Sequence, residues 1–451
     1  MKRLSLAILS TFFLISGACS ATLTSEVQNN ALVVYNNGIG LVHEQRLLDL
    51  KKTDTSLIYE GVANTIDTDS VNLKLPSSIE LNSQQFRFDK LTLEKLLDAH
   101  INKNIEVKIK NDPNSFTTIP ATLLSSNVNI ALVKTANSKI ISVETKNIIF
   151  KDIPKELITK PSLVWNIKTK SDIKSDLEID YLIRDISWKG DYILNLMQES
   201  AQLNGWMSID NRSGKAFQST KLNVLAGDIN LEHQNFQKKE IAYARMVAEA
   251  PQVEHQAHEG YHIYSVPFKV DLANNEKTQI KFIDKPKLAI RRSYSARLNN
   301  PLYINGQRDF DVIQYVNLEG VDIALPKGIV RVYSKLGQQN ILLAQTVLSH
   351  TPKNTPIKLK LGKNFDLKIM QTVLEKADNK FQLNTTLEYE VKNSSDEEKI
   401  VRLEIPFNSH KDSKIKTKTP YTLEKGNLVV FHLKISPQNS QKIRANFISK
   451  R

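Results

Sequence analysis

The stretch from Leu177 to Gly227 reads as consecutive β-strands joined by a turn, and this pattern constrains the fold of the chain. Leu177, Ile179 and Tyr181 alternate with polar residues, which is the period-two pattern of a strand with one buried face. The tetrapeptide Asn211–Gly214 is typical of a turn between two strands. Similar alternation recurs along most of the sequence, so we predict a mainly β fold.

A chain of 451 residues is too long for a single hydrophobic core. Prolines, turn residues and changes in pattern divide it into serial β-modules. We predict a signal peptide over 1–20, an N-terminal β module over 22–88, a small barrel of the SH3 or Sm type over 89–153, a central β domain over 155–350 with a polar excursion over 228–260, and a C-terminal β-sandwich of immunoglobulin-like type over 355–451.

Local sequence patterns predict several turns and two short helices within these modules. Asn37-Gly38 lies between two apolar runs and predicts a hairpin, and a second hairpin is expected around Gly337. Thr92 precedes leucines at helical spacing and predicts a capped short helix. Ile241–Ala250 is the plausible helix of the polar excursion. The sequence contains no exact internal repeat.

The first residues have the layout of a secretory signal peptide. Two basic residues precede an apolar run from Leu4 to Ile15, which is followed by small residues. Cleavage after Ala18 or Ser20 would satisfy the small-residue rule, and Cys19 at this boundary is a possible site of lipidation. With that single cysteine, no disulfide framework is expected. We therefore expect an exported protein of the bacterial periplasm or outer cell envelope, tethered to the membrane if Cys19 is acylated.

A formal net charge of +13 favours anionic partners such as phospholipid head groups, acidic glycans or nucleic acid. The segment Lys411–Lys418 is a basic stretch that could meet anionic lipid or glycan, although a solvated loop explains it equally well. We expect no nucleic-acid partner, because an exported protein rarely meets RNA and the predicted barrel offers only Phe116 and Phe150 as stacking aromatics. The partner is expected to be an envelope protein or an anionic envelope polymer.

The segment around Trp188 is the candidate ligand-binding corner. Trp188 could stack on a sugar ring while Asp191 and Tyr192 bind its hydroxyl groups. The same corner read as a glycosidase would use Asp185 and Asp191 as its carboxylate pair, with Tyr192 beside them. The alternative is that Trp188 and Tyr192 pack in the core at a strand bend. No G-x-S-x-G motif or phosphate-binding glycine loop is present, so no catalytic residue and no cofactor is predicted.

Histidines cluster around the polar excursion. His255 and His258 are three residues apart, His233 and His262 lie nearby, and Glu254 and Glu259 could add oxygen ligands; these are the residues of a hypothetical metal site. The alternative, which we favour, is that these histidines are exposed to solvent, because no zinc signature accompanies them.

The central and C-terminal strands resemble the bacterial mucoidy-inhibitor-like family, whose shared C-terminal region is catalogued as a domain of unknown function. The resemblance is carried by Tyr181, Ile186-Ser187-Trp188, Asp191-Tyr192, Asn211–Gly214 and Leu222–Gly227, and continues through Tyr261–Lys269, Gly328–Leu348 and Val391-Lys392-Asn393. Lys215 stands where relatives often have an acidic residue. The resemblance implies architecture and no established activity. In a bacterial chain, the Asn-x-Ser/Thr sequons at Asn211, Asn384 and Asn393 are most simply turn residues.

We therefore predict a non-catalytic cell-envelope protein that serves as a β-rich binding or scaffold module. A glycan-active hydrolase at the Trp188 corner and a histidine-rich metal-binding protein are the alternatives. Edge strands of such modules could pair with a second copy, but no sequence feature decides the oligomeric state.

Overall fold

A computed structural model describes residues 19–23, 26–112, 115–154, 156–226, 254–258, 261–319, 321–407, 413–425 and 427–450. It is mainly β, as the sequence predicts. No helix among these residues is long and apolar enough to cross a membrane.

The N-terminal part of the chain contains the strands β1 (Cys19–Leu23), β2 (Asn29–Tyr35), β3 (Ile39–Leu50), β4 (Asp54–Glu60), β5 (Ile66–Lys74) and β6 (Ile79–Arg87). It is followed by α1 (Leu93–Ala99), β7 (Asn104–Asp112), β8 (Ser115–Ser126), β9 (Ile130–Thr135), β10 (Ile140–Glu144), a 3-10 turn (Thr145–Asn147) and β11 (Ile148–Ile149).

The central part contains β12 (Ser162–Thr169), β13 (Ile173–Arg184), β14 (Ile186–Leu196), β15 (Ser200–Asn211), β16 (Phe217–Ala226), β17 (Glu254–His258), β18 (Tyr261–Leu272) and β19 (Glu276–Arg297). The C-terminal part contains a 3-10 turn (Pro301–Tyr303), β20 (Gln307–Leu318), β21 (Gly328–Leu336), β22 (Gln339–Leu348), β23 (Ile357–Asp378), β24 (Gln382–Asn393), β25 (Lys399–Pro406), β26 (Ser413–Thr417), β27 (Thr422–Glu424), β28 (Leu428–Ile435) and β29 (Asn439–Lys450).

The locally predicted turns and helix are confirmed. Gly38 has a positive φ between β2 and β3, and Gly337 has one between β21 and β22. The Thr92 hydroxyl caps α1 by accepting a hydrogen bond from the backbone N–H of Lys95. The predicted helix over Ile241–Ala250 lies outside the described residues.

The segment from α1 to β11 forms its own sheet with the strand order β10-β9-β8-β7-β11. Its core includes Leu97 of α1, Val107 of β7, Leu123 of β8 and Val133 of β9, all buried. A separate sheet and core therefore occupy the segment for which a small barrel is predicted. Its assignment to the SH3 or Sm type stays a prediction.

The described residues divide into two compact units. The first takes the described residues within 1–187, 210–251 and 265–277, and the second takes those within 188–209, 252–264 and 278–451. One sheet has the strand order β1-β4-β12-β6, and a second has the order β17-β18-β16-β2-β3-β13-β5. The main path of a third sheet has the order β22-β21-β14-β15-β19-β20-β23-β24-β29-β26, and β25, β27 and β28 pair beside that path.

Strand pairing crosses two of the boundaries predicted from sequence. β12 and β13, of the predicted central domain, pair with β4 and β3, of the predicted N-terminal module. β19 and β20 of the predicted central domain pair with β25 and β23 of the predicted C-terminal sandwich. Their buried side chains, such as Tyr294 and Val312, share one core with Leu387 and Phe431. The sheets therefore do not follow the segment boundaries predicted from the sequence.

One strand order occurs twice along the chain, and we call its two occurrences the first and second copy. In the first copy, β16 pairs in parallel with β2, which continues antiparallel through β3 to β13. In the second copy, β25 pairs in parallel with β19, which continues antiparallel through β20 to β23. Beyond the parallel pair, β18 lies next to β16 in the first copy, and β28 lies next to β25 in the second. The order β14-β15-β19 of the first copy corresponds to the order β23-β24-β29 of the second.

Both copies carry an insert at the same connection. In the first copy, β4 to β12 and α1 lie between β3 and β13, whereas in the second copy β21 and β22 lie between β20 and β23. The duplication is visible in the pairing of strands, although the sequence shows no exact repeat.

Candidate functional sites

The structure buries both aromatic residues of the predicted ligand-binding corner. The Trp188 side chain packs 6.1 Å from the Tyr264 ring, and Tyr192 packs 5.9 Å from the Phe282 ring, measured between centroids. Trp188 is 4 % exposed and Tyr192 is fully buried, with its hydroxyl donating a hydrogen bond to the carbonyl oxygen of Pro326. These contacts agree with the core-packing interpretation of the two aromatic residues.

Asp191 lies on the opposite face of β14 from Trp188 and Tyr192. Its carboxylate accepts a hydrogen bond of 2.7 Å from the Ser208 hydroxyl and lies 3.3 Å from the Arg331 guanidinium. Alternate residues of a strand point to opposite faces, so Asp191, an odd number of positions from Trp188, cannot share a ligand with that ring. The structure thus places Trp188 and Tyr192 on one face of β14 and Asp191 on the other.

Asp185 belongs to the first unit and Asp191 to the second. Asp185 has a φ of 59°, a left-handed conformation, and its carbonyl oxygen accepts a hydrogen bond from the Arg212 N–H. Asp185 is the single residue between the end of β13 and the start of β14. Ligand binding by Trp188, Asp191 and Tyr192 stays a prediction.

Most of the hypothetical metal site lies outside the described part of the chain. This applies to His233, Glu259 and the side chains of Glu254, His255 and His258, whereas His262 is the second residue of β18. Within the described part of the chain, no three acidic, histidine or cysteine residues form a metal-binding group. Cys19 opens β1, which pairs in parallel with β4, and its lipidation stays a prediction.

Two buried asparagines hold equivalent turns in the two copies. The Asn211 amide nitrogen donates to the carbonyl oxygens of Lys215 at 2.8 Å, Ala273 at 3.1 Å and Leu272 at 3.4 Å. Its side-chain oxygen accepts from the hydroxyl of Ser213 at 2.7 Å and from the backbone N–H of Ser213 at 3.2 Å. One side chain therefore ties the end of β15 to the end of β18.

Asn393 repeats this arrangement at the end of β24. Its amide nitrogen donates to the carbonyl oxygens of Glu397 at 2.8 Å and of Ile435 and Ser436 at 3.2 Å. Its oxygen accepts from the Ser395 hydroxyl at 2.7 Å and the Ser395 N–H at 3.0 Å. We call these two arrangements the asparagine latches. Both side chains are at most 1 % exposed, so the amides serve the fold, in agreement with their prediction as turn residues.

A buried charged cluster, which the sequence did not indicate, lies in the first unit. Glu44 of β3 forms ion pairs with Arg46 at 2.7 Å and with Lys215, and accepts a hydrogen bond of 2.7 Å from the Tyr59 hydroxyl. The Tyr181 hydroxyl lies 3.5 Å from the same carboxylate. The Arg46 guanidinium stacks 3.6 Å above the Tyr59 ring centre. Four of these five side chains are at most 1 % exposed, and Lys215 is 12 % exposed.

The ionisation of this cluster follows from its contacts. Burial alone would raise the pKa of Glu44, but the charges of Lys215 and Arg46 and the hydrogen bonds from Lys215 and Tyr59 lower that pKa to about 2. Burial lowers the pKa of Lys215, and the attraction of Glu44 opposes this effect. Glu44 is therefore a carboxylate at neutral pH, and its charge is matched inside the protein.

A basic surface lies on the second unit, on the outer face of β24, β29 and β26. Along β26 the exposed side chains are Lys414 and Lys416, and Lys418 follows in the same alternation, while Ile415 packs against the apolar core. None of the three lysines forms an ion pair with a residue that the structure describes. Because cross-strand partners share a face, Lys414 and Lys416 point to the same side as Ile448.

Amide and hydroxyl groups continue this basic surface across β29 and β24. Asn446 lies opposite Lys416 in the ladder, and its amide nitrogen donates at 2.7 Å both to Asn384 Oδ1 and to Thr386 Oγ1. The next row holds Arg444, which is paired at 2.8 Å with Glu388. We call the outer face of these three strands the lysine face. It includes the described part of the basic stretch Lys411–Lys418, and it places Asn384 beside the lysines.

In comparisons with known proteins, no family model matches the chain and no curated protein matches it. The resemblance to the mucoidy-inhibitor-like family therefore stays a prediction.

Proposed function

We propose that this protein is an exported, non-catalytic component of the bacterial cell envelope that works as a β-rich scaffold and binds an anionic envelope polymer through the lysine face. The observation that carries the proposal is the row of exposed lysines formed by Lys414 and Lys416 on β26 and by Lys418 directly after it, with the opposite side of β26 packed against the core. The leader layout of the first residues supports export.

The geometry of the lysine face suits an extended polyanion. Alternate residues of a strand are about 6.5–7 Å apart, so Lys414 and Lys416 rise from backbone positions separated by about that distance, and Lys418 extends the row by two residues beyond Lys416. Lysine side chains are flexible point charges that can adapt to phosphate, sulfate or carboxylate groups without fixed geometry. The neighbouring Asn384, Thr386 and Asn446 add hydrogen-bonding groups that suit sugar hydroxyls.

The asparagine latches support a scaffold role. Each latch fixes the turn at the end of a long strand by hydrogen bonds to backbone carbonyls from a distant part of the sequence. A binding surface supported on strands held in this way changes little in shape on binding, which lowers the entropic cost of association.

The test is binding of the purified full mature chain to two soluble probes, dextran sulfate and polygalacturonate, with neutral dextran as the uncharged reference. We expect both polyanions to bind and the affinity to fall steeply with added salt, because the contacts are exposed and screened. The triple variant Lys414→Gln, Lys416→Gln, Lys418→Gln should lose at least tenfold in affinity, about 1.4 kcal/mol.

The matched control removes the same charge elsewhere. Lys108→Gln, Lys110→Gln and Lys134→Gln change three exposed lysines of the sheet β10-β9-β8-β7-β11. An equal loss in this control would mean that net charge alone drives binding, and the lysine face would lose its special role. Equal binding of neutral dextran, or no polyanion binding by the parent protein, would also overturn the proposal.

A further inference from the structure

The turn between β23 and β24 projects an aromatic side chain into solvent. Asp378 and Leu383 are the last cross-strand partners of this hairpin before the turn. Phe381, which lies in the turn directly before β24, is 81 % exposed. A single exposed apolar residue is ordinary on a protein surface, whereas several that come from adjacent segments mark a contact surface. The neighbourhood of Phe381 therefore decides whether its exposure is informative.

Two further apolar side chains are exposed beside the same hairpin. Tyr303, in the 3-10 turn before β20, is 74 % exposed, and Leu374 of β23 is 42 % exposed. The 3-10 turn packs against β24, and Lys376 Nζ of β23 donates a hydrogen bond of 3.2 Å to the carbonyl oxygen of Ile304. The three apolar side chains thus come from two segments that are held together. We call Phe381, Tyr303 and Leu374 the apolar tip.

The side chain of Asn379 holds the turn in shape. Its oxygen accepts hydrogen bonds from the backbone N–H groups of Phe381 at 3.0 Å and of Gln382 at 2.9 Å. The Asn379 N–H in turn donates to the Gln382 carbonyl oxygen at 3.1 Å. Because the backbone around Phe381 is bonded in this way, the ring is presented from a defined position. Its burial on binding then costs less conformational entropy than burial of a ring on an unstructured loop.

Lysines outnumber acidic residues around the apolar tip. The exposed charged residues of the hairpin arms and of the adjoining ends of β29 and β26 are Lys376, Lys380, Lys414, Lys450, Glu375 and Asp378. Lys450 and Lys414 reach this end of the sheet because β29 and β26 follow β24 in the strand order. The apolar tip is therefore surrounded by an excess of positive charge, and it adjoins one end of the lysine face.

We propose that the apolar tip docks on a phospholipid bilayer that contains anionic lipids, with the Phe381 ring among the head groups and the surrounding lysines near the phosphates. Exposed aromatic side chains accompanied by lysines are typical of segments that lie at a membrane–water interface. The excess of lysines matches the negative charge of such a surface. This contact goes beyond the binding of a polymer to the lysine face and does not require it.

The small size of the apolar tip favours a bilayer over a protein partner. A specific protein–protein interface buries about 800 Å² on each partner. Three side chains on a hairpin turn and a neighbouring 3-10 turn expose only part of that area. They project from the surface among lysine, asparagine and glutamine side chains, and a bilayer receives such projecting groups without a complementary pocket.

Phe365 provides a matched control, because it is equally exposed but lies in a different electrostatic setting. It is 85 % exposed on β23. Lys363 and Lys368 on either side of it are ion-paired with Asp311 at 2.5 and 3.1 Å, and Asp366 follows it directly. The charges around Phe365 therefore balance, and we expect no attraction to an anionic surface there.

The test places a tryptophan at each of these two rings and measures its contact with lipid. The full mature chain carries Cys19→Ser, so that no lipid anchor contributes. With vesicles of phosphatidylcholine and phosphatidylglycerol, Phe381→Trp should shift its emission to the blue and be quenched by brominated phosphatidylcholine. Phe365→Trp should show neither effect beyond the baseline of the three tryptophans of the parent protein. Equal quenching at both positions, or none at Phe381→Trp, overturns the proposal.

The lipid composition tests the electrostatic part of the contact. Partitioning onto vesicles of phosphatidylcholine alone should be at least about tenfold weaker than onto the mixed vesicles, because each lysine near an anionic surface contributes to binding. Equal partitioning onto both kinds of vesicle would contradict the role of the lysines.

Phe381→Ala separates this contact from polymer binding. It should lower partitioning onto the mixed vesicles by about fivefold or more, because burial of the ring contributes to binding, and it should leave the affinity for dextran sulfate unchanged. Circular dichroism checks that the variant keeps its strands. Unchanged partitioning, or an equal loss of dextran sulfate binding, contradicts the membrane contact. Failure of the parent protein to bind dextran sulfate while Phe381→Trp is still quenched would overturn only the polymer proposal.

Discussion

The two copies of the repeated strand order use the same latch but fill their interiors with different chemistry. In both, a buried asparagine ends a long strand, binds the serine two residues later and donates to three backbone carbonyls. In the interior, β3 of the first copy buries Glu44 and Arg46, whereas β20 of the second copy buries Val312 and Val316. The same topology therefore accepts either an ion-paired or an apolar interior.

This difference shows which contacts the strand order requires. The latch closes a turn that both copies share, so its geometry is repeated almost contact for contact. The charged cluster pairs side chains that belong to the first copy and its insert. Tyr59 of the insert strand β4 contributes its hydroxyl group and its aromatic ring. We infer that the cluster joins the insert to the first copy, because Glu44 and Tyr59 lie on strands of different sheets within one unit.

Glu44→Gln should have the largest effect on stability. It removes the carboxylate that forms ion pairs with both Lys215 and Arg46, and leaving a buried charge without its partner costs about 3–5 kcal/mol. Urea unfolding followed by hydrogen exchange should show that protection is lost in β3, β4 and β13.

The control for this variant is Glu398→Gln in the second copy, which breaks the exposed ion pair with Lys434 and should cost less than about 1 kcal/mol. A Glu44→Gln variant as stable as this control would mean that the cluster does not join the insert to the first copy.

The stability difference between the parent and Glu44→Gln should depend on pH. The folded-state pKa of Glu44, about 2, lies below its ordinary value of 4.5. The ionised carboxylate therefore stabilises the folded state above pH 4.5, and this contribution is lost as the pH falls from 4.5 through about 2. The shift corresponds to roughly 3 kcal/mol for Glu44 alone. The lowered pKa of Lys215 acts in the opposite direction, so the pair contributes less.

The measurement is the unfolding free energy of both proteins at several pH values between 2 and 7, covering the range set by the Glu44 pKa. The two curves should converge toward the acid end, because the parent carboxyl group becomes neutral there, as the amide is at every pH. Parallel curves over this whole range would show that Glu44 is not the titrating group.

The asparagine latches should give a smaller effect that is equal in the two copies. Asn211→Ala and Asn393→Ala each leave buried carbonyl groups without their donor, at a cost of about 2–3 kcal/mol. Asn211→Asp and Asn393→Asp keep the acceptor for the serine but lose the donor, so they should not restore stability.

Urea unfolding of the four variants measures these costs. Equal losses in the two alanine variants, within about 0.5 kcal/mol, would establish that the latches are energetically equivalent. A cost confined to Asn211→Ala would show that the second copy holds its turn by other contacts.

Features encoded by neighbouring residues could be predicted from the sequence. Thr92 begins α1, and Gly38 and Gly337 make turns, because capping and left-handed backbone conformations depend on residue type at one position. The separation of Trp188 from Asp191 could also be predicted, because residues three positions apart on a strand point to opposite faces. The predicted ligand-binding corner combines residues that are close in the sequence without regard to this alternation.

The charged cluster and the latches could not be predicted in the same way. Lys215 and Glu44 are 171 positions apart, and nothing near either residue indicates the other. Asn211 and Asn393 appear in the sequence as turn residues or sequons, whereas their bonds to Leu272 and Ile435 depend on strands paired from distant segments. The lysine row was visible as a basic stretch, but its exposed face depends on the packing of Ile415.

The sequence by itself determined the mainly β class, the turns and the short helix, because alternation and the preferences of glycine, asparagine and threonine act over a few residues. The tertiary structure decided which strands pair and that one strand order occurs twice. Period-two alternation tells which residues share a face but does not identify the neighbouring strand. Partner and register are set by burial of the combined apolar faces, which only the folded chain brings together.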